Sequence, residues 1–215
     1  MKKYLFLLLV ASSATFAQHK PKLGVNVGGT YSNIRGNEIA DTNKYDANFL
    51  IGASIEIPLN ERFSLLGNLN YERKTFKNTL NVIGGNPFDP MFTTQNVDIK
   101  ARLEYLTIPV NLKYYIDSQK RFYINGGAFA GIFLDSNTKV DGENTNENEN
   151  DLFQTLDLGV NLGVGTNIKI TEKNSLNIEI RHNYGLKNIS KAKVYNDDNV
   201  KTNSFNLIAN WQFDL

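Results

Sequence analysis

The chain has 215 residues, room for one domain of ordinary size, and its 23 Lys and Arg against 22 Asp and Glu give a formal net charge of +1. With the basic residues scattered singly, that balance leaves no electrostatic footprint for nucleic acid. There is no cysteine, which excludes a disulfide framework, a thiolate metal site, a catalytic cysteine and a lipid anchor on an N-terminal cysteine.

Residues 1–17 read as an export segment. Lys2 and Lys3 precede an apolar run over residues 4–11, and Ala17 is a small residue suited to cleavage before Gln18. The run is far short of the ~20 residues of a spanning helix, and no later run approaches that length. The expected organisation is a cleaved signal peptide, 1–17, and one domain, 18–215.

From Leu23 onward apolar residues recur with period two, the strand signature. The first run carries Leu23, Val25, Val27 and Tyr31, the second Phe49, Ile51, Ile55 and Ile57, and the third Phe63, Leu65, Leu69 and Tyr71. The fourth is the clearest, with Leu106, Ile108, Val110, Leu112, Tyr114 and Ile116. A fifth starts at Phe122, a sixth at Leu156, a seventh at Leu176 and an eighth at Phe205. No segment reads as a helix. Short links at 60–62, 117–121 and 171–175 alternate with long polar ones at 35–46, 77–98, 135–151 and 190–201. Several strands reach ten residues, the length a tilted membrane strand needs. The expectation is an all-β fold, a single eight-stranded antiparallel up-and-down transmembrane β-barrel with both termini on the periplasmic side.

A soluble sandwich or lipocalin-like barrel has the same period with its apolar face inward. Three features favour the membrane. Small residues such as Gly28, Gly52, Gly127 and Gly163 lie on the polar face, where the cramped inside of an eight-stranded barrel needs them. Aromatics gather at strand ends on the apolar face, with Phe63, Tyr114, Phe122, Trp211 and Phe213 at one rim and Tyr31, Phe49, Tyr71 and Tyr184 at the other. The export segment points to the same compartment.

The stretch Leu103-Glu-Tyr-Leu-Thr-Ile-Pro-Val-Asn-Leu-Lys-Tyr-Tyr115 resembles the YLxIPxxLKY motif of the PorT-like outer-membrane β-barrel family of Bacteroidota. Phe122-Tyr-Ile-Asn-Gly-Gly127, Asp157-Leu-Gly-Val-Asn-Leu-Gly-Val-Gly165 and Arg181-His-Asn-Tyr-Gly-Leu186 resemble the family's later strands in the same order. The resemblance implies a barrel in the outer membrane. It implies little about role, because the family is functionally miscellaneous. Its namesake is associated with a secretion pathway for surface proteins, and no residue here carries that role over. The final residues, Phe213-Asp-Leu215, depart from the terminal aromatic of such barrels.

An enzyme needs a constellation, and the sequence offers little. Past the export segment the histidines are His19 and His182, and the nearest serine to His182 is Ser190 in the following loop. No G-x-S-x-G elbow or H-E-x-x-H motif occurs. The polar face carries Glu56, Glu72, Asp157 and Glu179 against Lys113, Lys169 and Arg181. Inside a narrow barrel these are expected to pair into a plug, with Tyr105, Tyr115 and Tyr123 adding bulk. The acidic run 141–151 fails the calcium-loop spacing, because Gly142 at position six puts Lys139 at position three and Asn148 at position twelve. No cofactor or metal is expected. The reading is a non-enzymatic outer-membrane barrel with a structural, scaffold or interaction role through its long external loops, its partners outer-membrane lipid, lipopolysaccharide and other envelope proteins. The alternatives are a small porin-like channel and a lipid-modifying enzyme using His182.

Overall fold

The computed structural model describes residues 20–84, 93–145, 150–192 and 199–215. The expected export segment lies outside them. The elements run β1 (Lys22–Arg35), α1 (Glu38–Asp41), β2 (Lys44–Pro58), β3 (Phe63–Gly84), β4 (Thr93–Tyr115), β5 (Phe122–Val140), β6 (Glu143–Asn144), β7 (Leu156–Lys169), β8 (Asn174–Gly185) and β9 (Lys201–Asp214). Each long strand pairs antiparallel with its chain neighbour. β1 pairs β9 from Lys22↔Asp214 to Arg35↔Lys201, and this closes eight long strands into a ring. The two-residue β6 adds only to the upper end of β5. A closed ring leaves no ladder edge, which is the condition for placing backbone in hydrocarbon.

The alternation turns this ring inside out. Val27, Leu162 and Leu207 are 58%, 64% and 56% exposed on the outer wall, whereas Asn26, Asn111 and Gln212 are buried within. No protein in water would present that many large apolar side chains around its whole girth. The soluble alternative is thereby set aside. Aromatics sit where the period places them, with Phe63 against Tyr114 at 4.9 Å at the short-turn end and Phe49 against Tyr71 at 6.1 Å at the other. The short-turn end also carries both strand termini, joined by a Lys22–Asp214 ion pair at 3.3 Å. By the rule for such barrels this end faces the periplasm. Crowding explains the inward glycines, since a Cβ on Gly127 would lie 2.0 Å from the Val110 carbonyl oxygen.

Three strands are much longer than a membrane requires. β3, β4 and β5 span 22, 23 and 19 residues, against about 9–11 for a crossing strand. Their surplus lies at the long-loop end. The segment 77–98, expected as a loop, is therefore largely paired strand, running from Lys77↔Lys100 to Gly84↔Thr93. The start of the 135–151 segment likewise continues β5. A short helix, not anticipated, occupies the first long connection, capped by Asn37, whose side-chain oxygen accepts from the Ala40 N–H at 2.6 Å.

β2 bulges near its upper end, where Leu50↔Glu72 gives way to Tyr45↔Phe76, five residues against four. The bulge takes β2 out of reach of the Thr75 backbone. Ser32 closes the gap from β1: its hydroxyl accepts from the Thr75 N–H at 2.7 Å and donates to the Thr75 carbonyl at 2.9 Å.

Candidate functional site

The lumen is a stack of polar layers. Nearest the periplasmic end, Lys113 Nζ on β4 donates to Glu56 Oε2 on β2 at 2.8 Å. The same carboxylate accepts from the Tyr115 hydroxyl at 2.7 Å and from Gln212 Nε2 at 3.1 Å. Lys113 also lies 4.0 Å from the centre of the Tyr123 ring. Beside it Glu179 accepts from Arg181 Nε at 2.6 Å and from the Tyr123 hydroxyl at 3.0 Å. An amide layer crosses the barrel, with Asn26 donating to Asn68 and Asn70 and accepting from Asn210. Above it Lys74 Nζ donates to Asp157 Oδ2 at 2.9 Å, and Thr202 Oγ1 donates to the same oxygen at 2.7 Å. Glu72 accepts from Asn206 at 3.0 Å and from Ser204 at 3.4 Å. Buried charges persist only when paired and bonded in this way.

Six of the seven expected lumen residues thus lie inside and are bonded: Glu56, Glu72, Lys113, Asp157, Glu179 and Arg181. Lys169 does not join them. It is the last residue of β7, exposed at the periplasmic mouth beside Asn167 and Lys22, where its long stem carries the ammonium past the rim into water. Lys74 is the inward cation the sequence reading missed. The signal was present, because Ser64, Asn68, Asn70 and Glu72 set the inward parity of β3 and Lys74 is the next step.

The external end of the lumen is closed by apolar side chains. Leu103 and Tyr105 of β4, Ile34 of β1, Ala40 of α1 and Ile189 of the β8–β9 connection form one buried cluster, with Phe133 and Phe153 against it. Tyr105 meets Phe133 edge-on at 5.7 Å, and Phe153 forms a bridge with Ser190. Below this cap a void of about 10 Å³ remains between Asn26, Asn68, Lys113 and Arg181. That is about the volume accessible to one water molecule.

His182 faces outward. Its ring stacks on Phe205 at 4.3 Å, and Nε2 is hydrogen-bonded to Asn203 Oδ1 at 2.6 Å. The Ser190 hydroxyl is engaged with its own loop, accepting from the Ala192 N–H at 3.1 Å. Among the described residues no hydrogen bond joins His182 to Ser190, and no cluster of His, Asp and Glu is arranged to hold a metal.

The family model for the outer membrane protein beta-barrel domain matches residues 16–191 of this chain. The chain belongs to that family. This barrel is therefore an outer-membrane protein. Its β9 lies beyond the matched residues and is the strand that closes the ring between β8 and β1. Solved structures with a similar backbone include Neisserial surface protein A, at 17% identity and TM-score 0.47, covering 90% of this chain and 97% of that one. Ail, the attachment invasion locus protein of Yersinia pestis, is 12% identical with TM-score 0.44 over 90% of this chain and 99% of its own. OprG from Pseudomonas aeruginosa is 13% identical with TM-score 0.43 over 92% and 98%. No curated protein sequence matches the barrel.

Proposed function

We propose that this barrel is a non-conducting, non-enzymatic outer-membrane protein whose role is to hold the extended β3–β4–β5 sheet above the membrane as an interaction surface. The carrying observation is the lumen, where ion pairs and amide layers surround a void of about 10 Å³ beneath an external apolar cap. A hydrated ion needs a continuous wet path, and eight strands enclose only what side chains fill. The engagement of His182 with Asn203 and of Ser190 with its own loop supports the non-enzymatic part of the reading. The PorT-like motif over residues 103–115 supports kinship with the barrels of Bacteroidota, and the export-type pattern of residues 1–17 supports delivery through the periplasm.

The test is planar-bilayer conductance of the refolded mature chain, with folding verified by its heat-dependent gel shift. Silence from folded protein is the expected result. Discrete, reproducible steps would replace this reading with the porin-like channel. In that event neutralising Arg181 or Asp157 should change the ion selectivity.

A further inference from the structure

Four lysines stand side by side across four strands. The registers give Lys44↔Lys77 between β2 and β3, Lys77↔Lys100 between β3 and β4, and Lys100↔Lys139 between β4 and β5. Directly opposed residues share a face of the sheet, with Cβ atoms about 5 Å apart, and like charges so placed destabilise it. Among the described residues the one carboxylate that bridges the row is Asp46, which reaches Lys77 at 3.8 Å and also pairs with Lys100. Asp46 pairs with Ser32 of β1 but falls in the β2 bulge on the side facing β3, where it has no ladder partner. Lys44 and Lys139 have no hydrogen-bond or ion partner among the described residues. The row lines a cleft of about 410 Å³, where Asp98, held by the Thr79 hydroxyl at 2.8 Å, is the second carboxylate. Among the described residues four cations thus face two lining carboxylates, with Asp141 at the edge accepting from the Asp98 N–H at 2.8 Å, an excess of positive charge that an anionic ligand would offset.

The position of the row identifies that ligand's chemistry. β3 and β4 keep one register from Asn70↔Thr107 to Gly84↔Thr93. Lys77 is thus on the same face as Tyr71, and Lys100 on the same face as Leu106, the membrane-facing wall. Between them stand Arg73 and Arg102, 3.2 and 3.1 Å from a single carboxylate, Glu104, so this step also carries excess positive charge. A basic column climbs from the aromatic girdle to the lysine row. Six residues separate girdle from row, about 20 Å along a strand and roughly 14 Å of height at the usual tilt of about 45°. The polar layer of a plain phospholipid leaflet is only about 5–8 Å thick. The row therefore stands above phospholipid headgroups and at the level of sugars carried on a lipid.

We propose that the Lys44–Lys77–Lys100–Lys139 row, with the Arg73–Arg102 step beneath it, binds the phosphorylated saccharide of an outer-leaflet glycolipid. This rests on the reading of the β3–β4–β5 sheet as the interaction surface. Lysine ammoniums on flexible stems suit several phosphates along one sugar chain, because each acts as a point charge without a fixed bonding plane.

The refolded mature protein in detergent is titrated with phosphorylated lipopolysaccharide and with the same lipopolysaccharide after enzymatic dephosphorylation. Binding is expected to weaken at least tenfold on dephosphorylation, and to weaken steeply as salt rises. The variant Lys44→Gln/Lys139→Gln, which touches no internal ion pair, is expected to lose at least tenfold, and Lys77→Gln/Lys100→Gln at least as much. Unchanged affinity in the first variant, with its heat-dependent gel shift intact, overturns the proposal. So does equal binding of the dephosphorylated glycolipid. A second arm uses dextran sulfate on protein in zwitterionic vesicles without glycolipid. Binding as tight as that of lipopolysaccharide would assign the row to soluble polyanions and overturn the membrane-borne source. Conductance is a separate readout, so a conducting barrel that still binds through this row would sink the plugged-lumen reading alone.

Discussion

Lys74 and Lys169 show how one residue's fate depends on where its strand meets the membrane. Both follow the inward parity of their strands. Lys74 stays within the wall and meets Asp157, whereas Lys169 is at the rim and escapes to water. Parity gives the face, but depth decides whether a charge is trapped, and depth is legible only once the turns are located. Trapped charges are costly to orphan. Lys74→Met is expected to destabilise the barrel by about 3–5 kcal/mol, because it leaves the buried Asp157 side chain without its ion-pair partner. In Lys74→Met/Asp157→Asn the amide oxygen still accepts from Thr202 and the Asp157 charge is gone, while Glu72 keeps only its bonds from Asn206 and Ser204, so part of that loss should be recovered. Urea unfolding of the refolded protein measures both. A double variant no more stable than the single one would mean that the 2.9 Å pair is not what the lysine contributes.

The elements divide into those with an apolar face and those without. Where a strand crosses lipid, one side must be apolar, and β1, the lower part of β4 and β9 were readable from period two alone. Above the membrane both sides of β3 and β4 meet water, so Lys77, Asn78, Thr79, Leu80 and Asn81 show no clean alternation and read as loop. The apolar cap was hidden for a different reason. Ile189, Phe153 and Ala40 come from connections, where no period exists to collect them into one face. The tight turns were legible in position, and the β4–β5 turn has a testable device. Asp117 Oδ1 accepts from the backbone N–H groups of Phe122 at 3.0 Å and Arg121 at 2.8 Å, and Oδ2 accepts from Arg121 Nε at 3.0 Å. These bonds, the Phe122 N–H foremost, hold its carboxyl below the usual range. A depressed carboxylate stabilises the fold above its unfolded pKa of about 3.9, and that contribution fades as pH falls through the lower folded value. Asp117→Asn should therefore lower stability at neutral pH and converge on the wild type as pH falls through the lowered folded pKa. Equal midpoints at pH 7 by the heat-dependent gel shift would dismiss the turn carboxylate as a stabilising group.

At the scale of the molecule the barrel and its extension answer to different forces. The belt is held by a closed ladder, a polar lumen and lipid on every side, none of which uses the upper reaches of β3 and β4. The extension is held by cross-strand pairing, against the repulsion of the fourfold lysine row, which costs it stability. The two parts should then separate on mutation. Replacing residues 79–98 by an Asn-Gly turn, the residues a two-residue hairpin loop prefers, removes the upper hairpin while leaving Phe76 and Leu103 to cap the lumen. The shortened chain is expected to refold, to keep its heat-dependent gel shift, and to remain silent in planar bilayers. Steps of conductance in that variant would show that the hairpin, and not the buried cluster beneath it, keeps ions out, and the plug would have to be relocated above the membrane.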